Sequence, residues 1–260
     1  ISYGASTAPT TPAPGFQPLF SAVPKSWIAY QHQPVEINDF KRQLLMTFMY
    51  SQTGPVIKQA DLNTDNRMDL ILAGNPNAGP DLYMQQANGQ FEKRQLALPA
   101  SDFNRFISDM EFADVNGDGH VDLYLAMGGY AYQEPGDSSL QDLLYINDGK
   151  GNFNLSATAL PATNRSAKSV VKAQDVDGDG DLDFFVGGRI VPGAYPVNPE
   201  SYLLINDGKG QFSKASIPFA EIGMVTDAAW ADLDKNGRKE LILVGEFMGI
   251  HAFEYEKDNW

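Results

Sequence analysis

The sequence contains no cysteine, only three histidines, and 19 lysines and arginines against 33 aspartates and glutamates. Without cysteine there is no disulfide framework, thiolate metal site or cysteine nucleophile, which suits a bacterial exported protein better than a disulfide-stapled eukaryotic one. The net charge of −14 argues against nucleic acid or an anionic membrane surface as partner. No apolar run approaches the ~18 residues that a membrane-spanning helix needs. Catalytic signatures are equally scarce. There is no GxSxG elbow, HExxH helix or P-loop, and the histidines are His32, His120 and His251, widely separated along the chain. No long amphipathic helical stretch occurs either. The composition, with 24 Gly, 16 Pro, 15 Phe and 11 Tyr, is that of an all-β chain.

What the sequence does contain is one nine-residue phrase four times: DLNTDNRMD at 61–69, DVNGDGHVD at 114–122, DVDGDGDLD at 175–183 and DLDKNGRKE at 232–240. Oxygen-bearing side chains fall at positions 1, 3, 5 and 9, and Gly or Asn at position 6, where a sharp turn favours positive φ. Calcium takes about 6–8 oxygen ligands, and alternate side chains of a curled loop can supply them, with a backbone carbonyl at position 7. The candidate ligands are Asp61, Asn63, Asp65 and Asp69 with the Arg67 carbonyl, then Asp114, Asn116, Asp118 and Asp122 with the His120 carbonyl. The third set is Asp175, Asp177, Asp179 and Asp183 with the Asp181 carbonyl; the fourth is Asp232, Asp234, Asn236 and Glu240 with the Arg238 carbonyl. About four calcium ions, one per loop, are expected, and they would cancel much of the acidic excess. An EF-hand is excluded, because it needs a bidentate Glu at position 12. Here that position is Leu72, Leu125, Val186 and Leu243.

Those residues lie in the apolar runs LILAG, LYLAMGG, LDFFVGG and LILVGE, short enough to be buried strands. Each loop is preceded by another strand, VIKQA at 56–60, DMEFA at 109–113, VVKAQ at 170–174 or DAAWA at 227–231. A third strand then leads through an NG or DGKG hairpin turn to Phe91, Phe153 or Phe212, which opens a fourth. Four antiparallel strands repeated every ~50–60 residues read as β-propeller blades. The blades fall at about 55–100, 108–160, 169–218 and 225–260 within a domain at 19–260, and residues 27–50 are expected to contribute extra strands. Residues 1–18, rich in Pro, Thr and Ala, read as a flexible tether.

The pairing of DxDGDGxxD with a following Gly-rich apolar strand resembles the FG-GAP/VCBS repeat of integrin-type β-propellers. DFKRQLL at 39–45, SQTGP at 51–55, GGRIVPGAYP at 187–196 and LVGEFM at 243–248 are similar to bacterial exported members, which are often associated with an ASPIC/UnbV domain. The resemblance implies structural calcium, an extracellular, cell-surface or periplasmic location, and a role in adhesion, glycan binding or protein contact. Such propellers usually have seven blades. Four repeats therefore read as a portion of a larger propeller, or as a small ring closed by an N-terminal strand. The last repeat looks truncated, because 250–260 aligns with 202–212, setting Trp260 in the place of Phe212 where a fourth strand would begin.

In a propeller the Asp-rich loops share one face with the DGKG turns, and the long strand 2–3 connections share the other. Tyr130, Tyr132, Arg189 and Tyr195 lie on those connections, with Phe247 and His251 nearby, and are expected to bind a protein or glycan ligand. The alternatives are a structural subunit of a larger surface assembly, or a calcium-dependent polysaccharide lyase or hydrolase.

Overall fold

The apolar runs behind the Asp-rich loops become the second strands of four antiparallel sheets. The computed structural model describes residues 20–22, 24, 26–52, 54–100, 105–256 and 260; the expected tether at 1–18 lies outside them. The first sheet is β1 (Val56–Ala60), β2 (Asp69–Ala73), β3 (Asp81–Gln85) and β4 (Phe91–Gln95). The second is β5 (Phe106–Ala113), β6 (Asp122–Gly128), β7 (Leu143–Asn147) and β8 (Phe153–Leu155), and the third β9 (Ala167–Gln174), β10 (Asp183–Ile190), β11 (Tyr202–Asn206) and β12 (Phe212–Ala215). The fourth holds three strands, β13 (Met224–Ala231), β14 (Glu240–Glu246) and β15 (His251–Phe253). Within each sheet the strands lie in chain order, as in a propeller blade.

Successive blades stack through their inner strands: β1 packs on β5, β5 on β9, and β9 on β13. Every residue of β6 is buried, and every residue of β10 except Arg189, because each strand is covered on both faces by neighbouring blades. This is why the second strands read as continuous apolar runs without alternation. Three apolar clusters fill the gaps. Ile71, Met84, Leu123 and Leu125 join blades one and two; Tyr124, Phe184 and Leu204 join two and three; Phe185, Val225 and Leu243 join three and four. Gly187 of β10 shows how close the inner strands come, since a Cβ there would lie 2.7 Å from Val170 Cγ1 and 2.8 Å from Val225 Cγ1.

A buried ion pair interrupts this core between blades two and three. Asp142 and Lys168 are fully buried and paired at 3.1 Å. The Asp142 carboxylate also accepts from Tyr124 Oη, Tyr202 Oη and the Met127 N–H. The Lys168 ammonium donates to the Thr163 and Leu140 carbonyls, so its three protons all have acceptors. The charge pair is therefore matched donor for acceptor between blades two and three.

Residues 27–50 depart from expectation. Their described residues form one 3-10 helix, Asp39–Lys41, and turns, with no strand. The reason is that this segment spends its side chains, rather than its backbone, on the blades. Arg42 donates to the Tyr130 and Gln133 carbonyls, Gln43 to the Tyr195 carbonyl, and Tyr50 to Glu246. Met46 and Tyr50 are buried with Tyr130, Ile190 and Met224, and the Asp39 carboxylate accepts from the Ser51 N–H at 2.7 Å. Upstream, Tyr30 donates to the Ala73 carbonyl and Gln33 to Asn75 on the first blade. The fourth blade also corrects the alignment. Leu241 pairs with Phe253 as Phe184 pairs with Leu204, so Phe253, not Ala252, takes the place of Leu204.

Lys168→Ala is expected to cost about 3–5 kcal/mol in urea unfolding, because it leaves the buried Asp142 carboxyl without its cationic partner. A loss below about 1 kcal/mol, the range of exposed pairs, would show that water reaches the pair.

Candidate metal centres

Each Asp-rich loop is curled by two residues in the left-handed region, at positions 4 and 6. They are Thr64 and Asn66, Gly117 and Gly119, Gly178 and Gly180, and Lys235 and Gly237. Sequence reasoning found position 6 and missed position 4, where Thr64 and Lys235 give no local signal. The acidic side chains then bind the curled backbone. The position 1 carboxylate accepts from the position 6 N–H in all four loops, at 2.7 Å for Asp61, 2.8 Å for Asp114, 3.1 Å for Asp175 and 3.0 Å for Asp232. Position 5 accepts from the position 7 N–H, at 2.9 Å for Asp65, Asp118 and Asp179 and 2.7 Å for Asn236.

Position 9 opens the second strand of every blade and pairs with the last residue of the first strand. Its carboxylate is buried and reaches back to the N–H of position 2: Asp69 to Leu62, Asp122 to Val115, Asp183 to Val176, Glu240 to Leu233. In the first three blades the second oxygen accepts from the end of the third strand, at Gln85, Asn147 and Asn206. Burial nevertheless pushes the Asp122 and Asp183 carboxyls up to about 6, against the lowering effect of those N–H donors, and raises Asp69 as well. Burial, then the neighbouring acids, also raises Asp177.

The loops are not equivalent as metal sites. In the third, one oxygen from each of Asp175, Asp177 and Asp183 lies within 4.8 Å of the others, the one such group among the described residues. Asp179 is outside that group. In the first loop the Arg67 guanidinium is paired with Asp65, while Asn63 Oδ1 is buried without a partner. In the second, Asn116 donates to Asp118 at 3.0 Å; in the fourth, Asn236 donates to Asp234 and Glu254, and Arg238 pairs with Glu254. The donor set fits a hard cation. Its atoms are all oxygens, Asn63 Oδ1 of the first loop lacks a donor, and in the third loop three carboxylates converge where a cation would offset their repulsion. His120 turns its ring onto Gly149, where a Cβ would lie 2.4 Å from Nε2, so its side chain packs on the turn of its own blade.

The opposite face differs from expectation. Tyr130 is fully buried, with the Arg42 guanidinium 5.0 Å from its ring centre and Gln43 accepting from its hydroxyl. Arg189 pairs with Glu246 and lies 4.7 Å over the Tyr50 ring, and Tyr195 is half-buried against Tyr50. The N-terminal segment covers these three residues. Tyr132 alone of the four stays exposed. The segment presents apolar groups of its own, Leu44 at 86 %, Leu45 at 87 % and Phe48 at 44 % exposure. Phe247, 61 % exposed, packs edge-on against Tyr195 and holds φ at 58°, a costly conformation for a bulky side chain.

Residues 61–125 and 131–186 match the model of the FG-GAP-like repeat. Over these residues the chain carries FG-GAP-like repeats. The matched FG-GAP segments contain the first three Asp-rich loops, and the fourth blade repeats their register with Glu240 opposite Ala231. No curated protein matches the chain.

The buried FG-GAP carboxylates set a pH dependence. Asp122 and Asp183 rise from 3.8 to about 6 on folding, so the metal-free native state holds more protons than the unfolded chain between those values. Their cost is absent below the unfolded value, grows as the pH rises, and is complete above the folded one. In chelator, the urea midpoint is expected to rise as the pH falls from neutral towards 5, and saturating calcium to reverse the trend. A flat chelator profile would contradict the assignment.

Proposed function

We propose that this chain is a calcium-stabilised binding module of the cell exterior, with its ligand face opposite the Asp-rich loops. The convergence of Asp175, Asp177 and Asp183 carries the calcium part. Calcium, when bound, supplies the divalent charge that offsets mutual repulsion among these carboxylates, and near-millimolar extracellular levels fill even modest sites. The proposed holders are the residues at positions 1, 3, 5 and 9 of each loop, with the position 7 carbonyl. An exported location fits the proposed need for calcium and the absence of cysteine. Among the described residues no helix is long and apolar enough to cross a membrane.

The ligand part rests on Phe247. An exposed aromatic held at φ 58° on a firm base of Tyr195, Tyr50 and Arg189 is costly unless it is used. With Leu44, Leu45 and Phe48 on the same side of the blades, it offers apolar contact to a protein ligand, and Tyr132 adds a polar tip that suits a protein or a glycan. A second reading has one observation in its favour. A cleft of about 510 Å3 beside the third loop, lined by Asp175, Asp177, Trp230, Arg238 and Lys239, would admit the substrate of a calcium-dependent lyase or hydrolase. Its acids already accept loop N–H groups at Gly178, Gly180 and Asp179, which favours binding over catalysis.

Two outcomes test the proposal. A chelator is expected to lower the melting temperature, with Asp177→Ala costing more stability in calcium than Asn63→Ala; a site filled at 100 times its Kd contributes about 2.7 kcal/mol. Melting unmoved by excess chelator sinks the calcium part. On protein and glycan arrays, Phe247→Ala is expected to weaken binding about tenfold, or about 1.4 kcal/mol, without lowering the melting temperature. Undiminished binding moves the ligand off this face.

A further inference from the structure

We infer that Asn147 and Asn206 tie the Asp-rich loops of the first three blades into one linked set, so that calcium entering one loop strengthens binding in the next. The inference rests on the calcium reading above. Each asparagine sits at the end of a third strand, is buried, and uses its backbone and side chain on two different blades. The Asn147 N–H donates to Asp122 Oδ1 of its own blade at 2.8 Å, while its Nδ2 donates across the blade interface to the Leu62 carbonyl at 2.9 Å. Leu62 is position 2 of the first loop, and its N–H is held by Asp69 at 3.0 Å. Asn206 repeats the pattern one blade later. Its N–H donates to Asp183 Oδ1 at 2.9 Å and its Nδ2 to the Val115 carbonyl at 2.9 Å, while the Val115 N–H is held by Asp122 at 3.1 Å.

Three buried carboxylates, each a candidate metal ligand, are thus joined in the order Asp69, Leu62, Asn147, Asp122, Val115, Asn206, Asp183. The asparagines cannot easily turn away. Their second amide protons reach the Val121 and Leu182 carbonyls, and their Oδ1 atoms accept from turn glycines, Gly149 for Asn147 and Gly208 and Gly210 for Asn206. A carboxylate fixed by a cation holds its asparagine in place. That asparagine then holds the position 2 peptide of the preceding loop, where the next carboxylate takes its own N–H. Coupling of this kind is reciprocal. The asparagine itself is not repeated in the fourth blade. There the observed register puts Tyr255 in the place of Asn206, and a phenol cannot donate to two carbonyls. The fourth loop instead leans on Glu254 through Asn236 and Arg238. The asparagines are positioning residues, because they touch the loops and not the ion.

Calcium titration of the full chain, followed by NMR at the position 6 amides of Asn66, Gly119, Gly180 and Gly237, reads each loop separately. Asp118→Ala removes a ligand from the second loop without touching the asparagines. It is expected to raise the calcium midpoints at Asn66 and Gly180 about fivefold or more while leaving Gly237 within about twofold. Adding Asn147→Ala is expected to abolish the response of Asn66 and to leave that of Gly180. Unchanged midpoints at Asn66 and Gly180 in Asp118→Ala overturn the coupling, and this comparison decides the matter even where Asn147→Ala does not fold. If calcium shifts none of the four amides in the unsubstituted chain, the calcium reading itself falls, and the coupling with it.

Discussion

The structure depends on one buried carboxylate per blade, at position 9 of the Asp-rich loop. With one oxygen it holds the N–H of position 2, which closes the connection between the first and second strands. In three blades its other oxygen holds the end of the third strand, so three strands meet at one side chain. Hydrogen bonds to an ionised group contribute about 1.5–3 kcal/mol each, yet Asp122 and Asp183 still sit at about 6. Desolvation therefore outweighs two N–H donors. The geometry that makes the blade also leaves it short of positive charge, which is the condition a bound cation relieves.

The face opposite the loops obeys a different constraint. There the connections between second and third strands converge without backbone pairing, and the segment around Asp39–Tyr50 fills the middle. It is held by Arg42 and Gln43 reaching loop carbonyls and by Tyr50 reaching Glu246. Burying Tyr130 and half-burying Tyr195 gives this seat its base. What remains outward are Leu44, Leu45, Phe48 and Phe247. A surface that its own chain has covered can still be an interaction surface, with the covering segment as part of it.

The repeating parts of this fold were legible because they are local. Four loops at fixed spacing, four apolar runs and the Phe-led fourth strands follow from turn chemistry and burial within a few residues. The inner strands ran longer than their patterns, starting at Phe106, Ala167 and Met224, because irregularities in the pairing of β5, β9 and β13 shift the alternation that marks a strand. Residues 42–50 read as a strand because RQLLMTFMY is apolar, but nothing in it states that Arg42 and Gln43 will meet Tyr130 and Tyr195. Tyr130 and Arg189 were misplaced on the surface for the same reason. Aromatic and basic residues on a loop look alike in sequence whether they face a ligand or a distant part of the chain. Asn147 and Asn206 gave only a turn signal, since their second role lies across an interface 85 and 91 residues away.

The loops also differ in how much positive charge they carry themselves. The first has Arg67 on Asp65, so a protein cation already stands beside one of its acids. The fourth has Arg238 at the same position, turned to Glu254 instead. In the third, position 7 is Asp181, which adds an acid where the others have Arg or His. Its carboxylates converge more closely than those of any other loop among the described residues. Demand for an external cation is therefore greatest in the third loop, and the asparagine chain runs from there back to the first. In the proposed calcium reading, a linked set of this kind would let the third loop order the other two.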